Sequence, residues 1–279
     1  MNQRSPCLDR TTEMEHELQD KYTLLLTYIR QFHRVGVACS GGVDSTLLAY
    51  ACCEALGADR VVVLFADSCL LSADVRSNIS HIVQQQLPDK VTFEKIHIDG
   101  LTDKEFIRND ANRCYICKRK IYSALFSRLK ELDIIHLCDG TNCDDLGQDR
   151  PGLKAIEELN VLTPLVHAGY HKADVRNTAA DLGLSNARQP SNSCLATRIE
   201  PLTAITDTRL REIESLESFL IGRGYTGCRV RPRGKMIILE VRANDLVRIT
   251  VPAERQAIIS YFQQNGYNSV VIDLSGRSD

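Results

Sequence analysis

The sequence predicts an α/β protein, with a parallel sheet and crossover helices followed by a smaller C-terminal α+β unit. Three observations predict it. Short apolar runs alternate with helical patterns up to about residue 200. A Gly-Gly turn stands directly between the first apolar run and the helix after it. Beyond about residue 200 the pattern changes to helix, two adjacent strands, helix and strand. Strand alternating with helix implies parallel pairing, because each strand must return by a crossover on the face of the sheet.

The elements follow in order. Residues 13–32 carry Leu18, Tyr22, Leu25, Leu26 and Ile29 at helical spacing, which predicts an amphipathic packing helix. VGVAC (35–39), VVVLFA (61–66), VTFEKIHI (91–98) and IIHLC (134–138) read as strands, separated by helices over 43–57, 72–87 and 117–132. A helix over 171–183 is closed by Gly183, a residue that tolerates the left-handed backbone of a helix end. A helix over 207–221, the strands RVRPRG and MIILEV, a helix over 252–265 and the strand SVVIDL (269–274) complete the chain. Two domains are expected, residues 1–200 and residues 201–279.

Composition excludes several function classes. The 279 residues are 43% hydrophobic and 25% charged, with 16 Gly and 8 Pro, so disordered and fibrous classes drop out. No run approaches the roughly 18 apolar residues of a membrane span, and the first residues are polar without an apolar signal core. The expectation is a cytoplasmic protein with no membrane partner. Lys plus Arg (34) nearly balances Asp plus Glu (36), for a net charge of -2, so no nucleic-acid partner is expected either. The 11 cysteines are odd in number and unevenly spaced, which argues against a disulfide framework. Most should be small buried hydrophobes; Cys114, Cys117 and Cys194 stand apart because their settings are polar.

The strongest motif follows Cys39: Ser40, Gly41, Gly42, Val43, Asp44, Ser45 and Thr46, after a strand and before a helix. In an α/β sheet, ligands bind at the carboxyl ends of strands, and two glycines let backbone N–H groups turn inward beside a helix N-terminus. Phosphate oxygens fit that concavity. Ser40, Ser45 and Thr46 add hydroxyls, and Asp44 could orient the loop or help hold Mg2+. The competing reading is a plain turn with helix-capping serines. The stretch resembles the PP-loop (adenine nucleotide alpha hydrolase-like) ATP pyrophosphatases, whose SGGxDS loop grips the pyrophosphate end of ATP. That resemblance implies cleavage between the α- and β-phosphates, adenylylation of a carbonyl or carboxylate oxygen, and displacement of AMP by a nitrogen or sulfur nucleophile.

Three further stretches carry chemistry. Cys114 and Cys117 form a CxxC in Arg113-Cys-Tyr-Ile-Cys-Lys118, readable as a ligand pair or as incidental cysteines. Cys194 stands in a Ser/Asn-rich loop with Arg198 four residues on, where positive charge favours a reactive thiolate; a structural cysteine is the alternative. Arg229, Arg231, Arg233 and Lys235 alternate in RVRPRGK, so they share one face of an extended chain, as an anion site or as a charged guard on an edge strand marked by Pro232. Asp139, Thr141 and Asn142, with Asp67 and Ser68, follow strands and so fall at the ligand edge of the sheet, as nucleotide contacts or as helix caps. Glu217, on the predicted helix before RVR, reads equally as part of a solvated helix face or as a match to a site-associated carboxylate of the family that the motifs resemble, and its role is left open.

Taken with the Asp139–Asn142 stretch and Arg150-Pro-Gly-Leu153, these motifs closely resemble the LarE family of ATP-dependent sulfur transferases over most of the chain. The resemblance implies that Cys194 is the sulfur centre. Some members have that cysteine alone and sacrifice its sulfur, whereas others add a CxxC and hold an iron-sulfur cluster. This sequence matches the second kind, with Cys114, Cys117 and Cys194 around a 4Fe-4S cluster whose fourth iron carries a transferable sulfide; zinc on the same thiolates is the alternative. It further implies that Arg229 and Arg231 bind a substrate phosphate, that the substrate is pyridinium-3,5-biscarboxylic acid mononucleotide on the route to the nickel-pincer cofactor, that sulfide or another sulfur donor recharges the site, and that the chain forms a homo-oligomer, possibly a hexamer. The competing functions are a PP-loop tRNA thiolase or amide-forming ligase, and a non-catalytic nucleotide or iron-sulfur sensor.

Overall fold

The computed structural model describes residues 6–147, 151–190 and 193–277, and the chain divides into two compact units. Arg150, Ser191 and Asn192, part of the motifs above, lie outside the described residues. The first unit takes in the chain up to residue 67 with 74–98 and 114–189; the second takes in 68–73, 99–113 and the chain from 190 onward. The boundary therefore falls at 189/190 and not at 200/201, and two earlier segments join the second unit. The reason is hydrogen bonding over long sequence separations. Leu195 N–H donates to the Leu70 carbonyl (2.8 Å), Leu202 N–H to Asn109 (3.0 Å) and Ile205 N–H to Ile107 (3.0 Å). The buried Asn109 amide also donates to the carbonyls of Glu200 (2.8 Å) and Thr203 (3.1 Å).

The first sheet has four strands, β1 (Val35–Ala38), β2 (Val61–Ser68), β3 (Thr92–Ile98) and β4 (Leu137–Asp139), in the order β3-β2-β1-β4. β1 pairs in parallel with both β2 and β4, as the alternation of strand and helix requires. The larger helices around it are α1 (Pro6–Ile29), α2 (Val43–Leu56), α3 (Ala73–Gln86), α4 (Arg113–Glu131) and α5 (Lys172–Asp181). α2 is apolar on nearly all sides and buries Val43, Leu47, Leu48, Ala51 and Cys52, as a helix covered on several faces must. α1 and α5 both pack on it. α5 ends as the sequence predicts: Gly183 has φ +73°, and the N–H groups of Gly183 and Leu184 close onto Ala180 and Ala179.

In the second unit, α6 (Asp207–Gly222) and α7 (Pro252–Gln264) accompany a sheet of β5 (Arg229–Arg233), β6 (Met236–Glu240) and β7 (Ser269–Ile272). β5 and β6 are antiparallel, β6 and β7 parallel, and β5 is an edge strand, as Pro232 suggested. Leu216, Leu220, Val230, Ile237, Leu239 and Phe262 form the core of this unit. No helix among the described residues is long and apolar enough to cross a membrane.

One glycine shows how closely the first sheet approaches the nucleotide-type loop. A Cβ on Gly140, just past β4, would lie 2.8 Å from the Ser45 nitrogen and 3.1 Å from the Asp44 carbonyl carbon. The obstacle is backbone at the start of α2 and cannot turn aside. Gly140→Ala should therefore lower the unfolding free energy by about 1–3 kcal/mol, read as a reduced urea midpoint; an unchanged midpoint would show that this close approach is dispensable.

Candidate functional site

In the first unit, β1 delivers the chain into Ser40-Gly41-Gly42, and α2 begins at Val43. Gly41 has φ +79°, a conformation that side-chain-bearing residues rarely adopt. The loop is held by its own hydroxyls. Ser40 N–H donates to Ser45 Oγ (3.1 Å), and Ser45 Oγ and Thr46 Oγ1 donate to the Gly42 carbonyl (3.1 and 3.0 Å). No side chain caps the N-terminus of α2, so its first-turn N–H groups can meet an anion.

Asp44 is not alone there. Its Oδ1 accepts from Asn142 Nδ2 (3.0 Å), and its Oδ2 accepts from Lys172 Nζ (2.5 Å). A carboxylate has further lone pairs beyond these two bonds, so the group still suits a magnesium ion. Asn142 also accepts from Asp144 N–H (3.0 Å), so it both caps the next helix and braces Asp44. Asp139 accepts from the Tyr122 hydroxyl (2.7 Å) and from Thr141; burial, then the charge of Asp139, pushes the Tyr122 hydroxyl well above its ordinary range. Asp67, at the end of β2, keeps one buried oxygen without a partner, whereas Ser68 Oγ accepts from Leu70 N–H (3.3 Å). The buried Asn186 donates to Thr46 Oγ1 (2.9 Å) and to the Gly41 carbonyl (3.3 Å).

Sequence reasoning missed Lys172, Asn186 and the role of Gly140. Lys172 had a usable signal: it opens a helix, where the macrodipole disfavours a cation unless an anion stands opposite. Asn186 had none, since an asparagine in a loop is ordinary.

In the second unit, Cys194 immediately precedes a short 3-10 turn, Leu195–Arg198. Arg198, expected to act on the thiol, is almost wholly buried and turned to protein groups. Its Nε and Nη2 donate to Glu217 (2.8 and 3.2 Å). Its Nη1 donates to the carbonyls of Ser193 (2.8 Å) and Cys194 (3.1 Å), and to the hydroxyls of Ser193 (2.6 Å) and Thr197 (2.9 Å). Glu217 Oε1 also accepts from Val230 N–H (2.9 Å), so its helix face is buried, not solvated.

The basic residues of β5 are placed unequally. Arg231 pairs with Glu240 and donates to the Thr197 carbonyl. Arg233 donates to the carbonyls of Arg198 (3.1 Å) and Pro232 (2.7 Å). Arg229 has its Nε buried without a partner, and its Nη1 lies 3.9 Å from Glu240. Burial first, then Arg277 and Arg198, pushes the Arg229 guanidinium down to about 10. Such a group is poised to receive an anion, which guanidinium binds through paired hydrogen bonds. Elsewhere in this unit lies a cleft of about 400 Å³ lined by Ile199, Glu200, Ile213, Pro232, Lys235 and Tyr267 among others, to which neither Arg229 nor Arg231 contributes.

Cys114 and Cys117 lie three residues apart in the first turn of α4, both half-buried, so they share a face. Three thiolates are a suitable donor set for an iron-sulfur cluster. Cys194 belongs to the other compact unit, and among the described residues no group of three or more His, Cys, Asp or Glu side chains is gathered to hold a metal ion. Arg113, the residue before Cys114, donates to the Ala196 carbonyl (3.1 Å), two residues beyond Cys194.

No family model matches the chain. It is 29% identical over 267 residues to an uncharacterised protein of Methanocaldococcus jannaschii, a match that covers 96% of each chain. It is 28% identical over 267 residues to the pyridinium-3,5-bisthiocarboxylic acid mononucleotide synthase of Lactiplantibacillus plantarum, covering 93% of this chain and 92% of that one. A shorter likeness, 27% over 141 residues, joins 46% of this chain to 21% of a probable glutamine-hydrolysing GMP synthase of Leptospira interrogans, consistent with a shared PP-loop domain.

Arg229 yields a test that needs no knowledge of the substrate. Replacing a half-buried, unbalanced cation by an apolar residue of similar length is often stabilising. Arg229→Met should raise the urea unfolding free energy at neutral pH by about 1 kcal/mol, and inorganic phosphate should raise the midpoint of the native chain but not that of the variant. A less stable variant would mean that the guanidinium is already compensated.

Proposed function

We propose that this chain, a homologue over nearly its whole length of a pyridinium-3,5-bisthiocarboxylic acid mononucleotide synthase, is an ATP-dependent sulfur transferase that turns a substrate carboxylate into a thiocarboxylate. The observation that carries the reading is the reach of that likeness. A match over 93% of the chain is long enough to span both the Ser40–Thr46 loop and the Cys194 loop, whereas the likeness to a GMP synthase covers less than half.

The substrate we infer is pyridinium-3,5-biscarboxylic acid mononucleotide, its phosphate held by Arg229 and Arg231. A carboxylate is a poor electrophile, so it must first be activated. One of its oxygens attacks the α-phosphorus of ATP, the bond to the bridging oxygen breaks, and pyrophosphate leaves with that electron pair. Backbone N–H groups of the 40–46 loop and the Lys172 ammonium meet the developing charge, which is where electrostatic stabilisation accelerates such a step. Asp44 and its partner Asn142 would hold Mg2+ against the leaving group. A sulfur nucleophile then adds to the carbonyl carbon of the acyl-adenylate, and AMP departs with the electrons of its bond to carbon. Cys194 is the residue that presents sulfur, and a 4Fe-4S cluster on Cys114, Cys117 and Cys194 would supply a labile sulfide when bound.

Two experiments test this reading. With the biscarboxylate mononucleotide, Mg-ATP and sulfide under anaerobic conditions, the chain should release pyrophosphate and AMP together with the thiocarboxylate; ATP binding without pyrophosphate release would instead make it a nucleotide sensor. Cys194→Ala should abolish thiocarboxylate formation with ATP affinity unchanged, and Lys172→Ala should weaken ATP binding by about tenfold, the scale of one charge-assisted bond. Separately, iron and labile-sulfide analysis after anaerobic reconstitution should give about four irons per chain, lost on alanine substitution of Cys114, Cys117 or Cys194. No iron would favour a sacrificial Cys194.

A further inference from the structure

The Cys194 loop is held in an unusual way. The carbonyls of Ser193 and Cys194 accept from Arg198, that of Ala196 from Arg113, that of Thr197 from Arg231 and that of Arg198 from Arg233. Nearly every peptide plane around the cysteine is thus oriented by a guanidinium. Among these arginines Arg198 is 3% exposed and makes bonds on both sides of Cys194. A cation buried to that degree requires a carboxylate at bonding distance, and Glu217, 7% exposed, supplies it through two bonds. The same Oε1 atom receives the N–H of Val230, which sits between Arg229 and Arg231. One carboxylate therefore ties together the cysteine loop and the start of the arginine-bearing strand.

We propose that Glu217 is a positioning residue for sulfur transfer: acting through Arg198, it fixes the peptide groups that aim Cys194, and through Val230 it keeps Arg229 and Arg231 in register with that loop. Glu217 touches no reacting atom in this role. The proposal deepens the sulfur-transferase reading and rests on it for the activity, but the geometric part can be tested without it. A carboxylate is needed and not merely a polar group, because an amide at this position would present an N–H to the guanidinium or leave the buried charge uncompensated. Aspartate keeps the charge but shortens the reach by one methylene, so it should restore part of the function.

The test compares wild type with Glu217→Gln, Glu217→Asp and Arg198→Lys, using two readouts on the full-length chain prepared anaerobically without iron. The first is the rate of iodoacetamide modification at Cys194, followed by peptide mass spectrometry, with the half-buried Cys143 of the first unit as internal control. Glu217→Gln and Arg198→Lys should each speed modification of Cys194 at least fivefold as the loop loosens, while Cys143 reacts as in wild type; Glu217→Asp should fall between. The second readout is turnover of reconstituted protein. Glu217→Gln should lower kcat for thiocarboxylate formation at least tenfold, with the KM for ATP within threefold of wild type and partial recovery in Glu217→Asp. Equal acceleration at Cys194 and Cys143 would indicate a general loosening and overturn the proposal, as would unchanged reactivity at Cys194 in both Glu217→Gln and Arg198→Lys. If Glu217→Gln does not fold, Arg198→Lys decides. Should wild type itself make no thiocarboxylate, the sulfur-transfer reading fails while the alkylation comparison still judges the loop.

Discussion

The buried pairing of Arg198 with Glu217 is the interaction on which the second unit depends. Burying both charges is expensive, and a pair of this kind is often no more stabilising than well-packed apolar residues of the same volume. Its value therefore lies in geometry. A guanidinium presents its donors in a rigid plane, so a loop that would otherwise be a short irregular stretch between two segments receives fixed peptide orientations. Asn109 adds to this from a different segment, donating to the carbonyls of Glu200 and Thr203 and accepting from Arg113. The result is a cysteine at the mouth of a 3-10 turn whose neighbours cannot readily turn away.

The first unit is arranged differently around its 40–46 loop. Its loop offers backbone N–H groups and hydroxyls, and Lys172 is the cation that side chains bring to it. With no ligand present, Lys172 is neutralised by Asp44. Each is only partly exposed, with side-chain exposures of 29% and 22%, so the pair is shielded more than a surface salt bridge and its attraction is less screened. In the function proposed above, a polyphosphate with its magnesium ion would supply both partners at once, the anion for Lys172 and the cation for Asp44. The exchange leaves no charge stranded, which is how a site can hold a strong cation ready without an unpaired charge in its resting form.

Arg229 shows the opposite arrangement. Its Nε has no partner and the Glu240 carboxylate lies at the limit of an ion pair. Evolution commonly tolerates such instability where a ligand removes it. The adjacent Arg231 is by contrast engaged with Glu240 and Thr197, so two arginines alike in sequence differ in how far protein groups already satisfy them. Their difference arises from Glu240, which stands opposite Arg229 in the β5–β6 register but turns its carboxylate to the diagonal neighbour Arg231.

The sequence by itself determined the fold class, the parallel sheet, the nucleotide-type loop at the end of β1, and the edge position of β5. These follow from hydrophobic periodicity and from glycine and proline placement, which act over a few residues and leave a local trace. It also singled out Cys114, Cys117, Cys194, Arg229 and Arg231 as the residues to question. Only the tertiary structure decided that residues 190–200 belong with the second unit, that Arg198 faces Glu217 and loop oxygens, and that Lys172 and Asn186 stand at the 40–46 loop. The contacts of Arg198 with Glu217, of Lys172 with Asp44 and of Asn186 with Gly41 join residues 19 to 145 positions apart. Hydrogen-bond partners at such separations are selected by the packing of whole elements, and nothing in the neighbouring residues records which partner each side chain will meet.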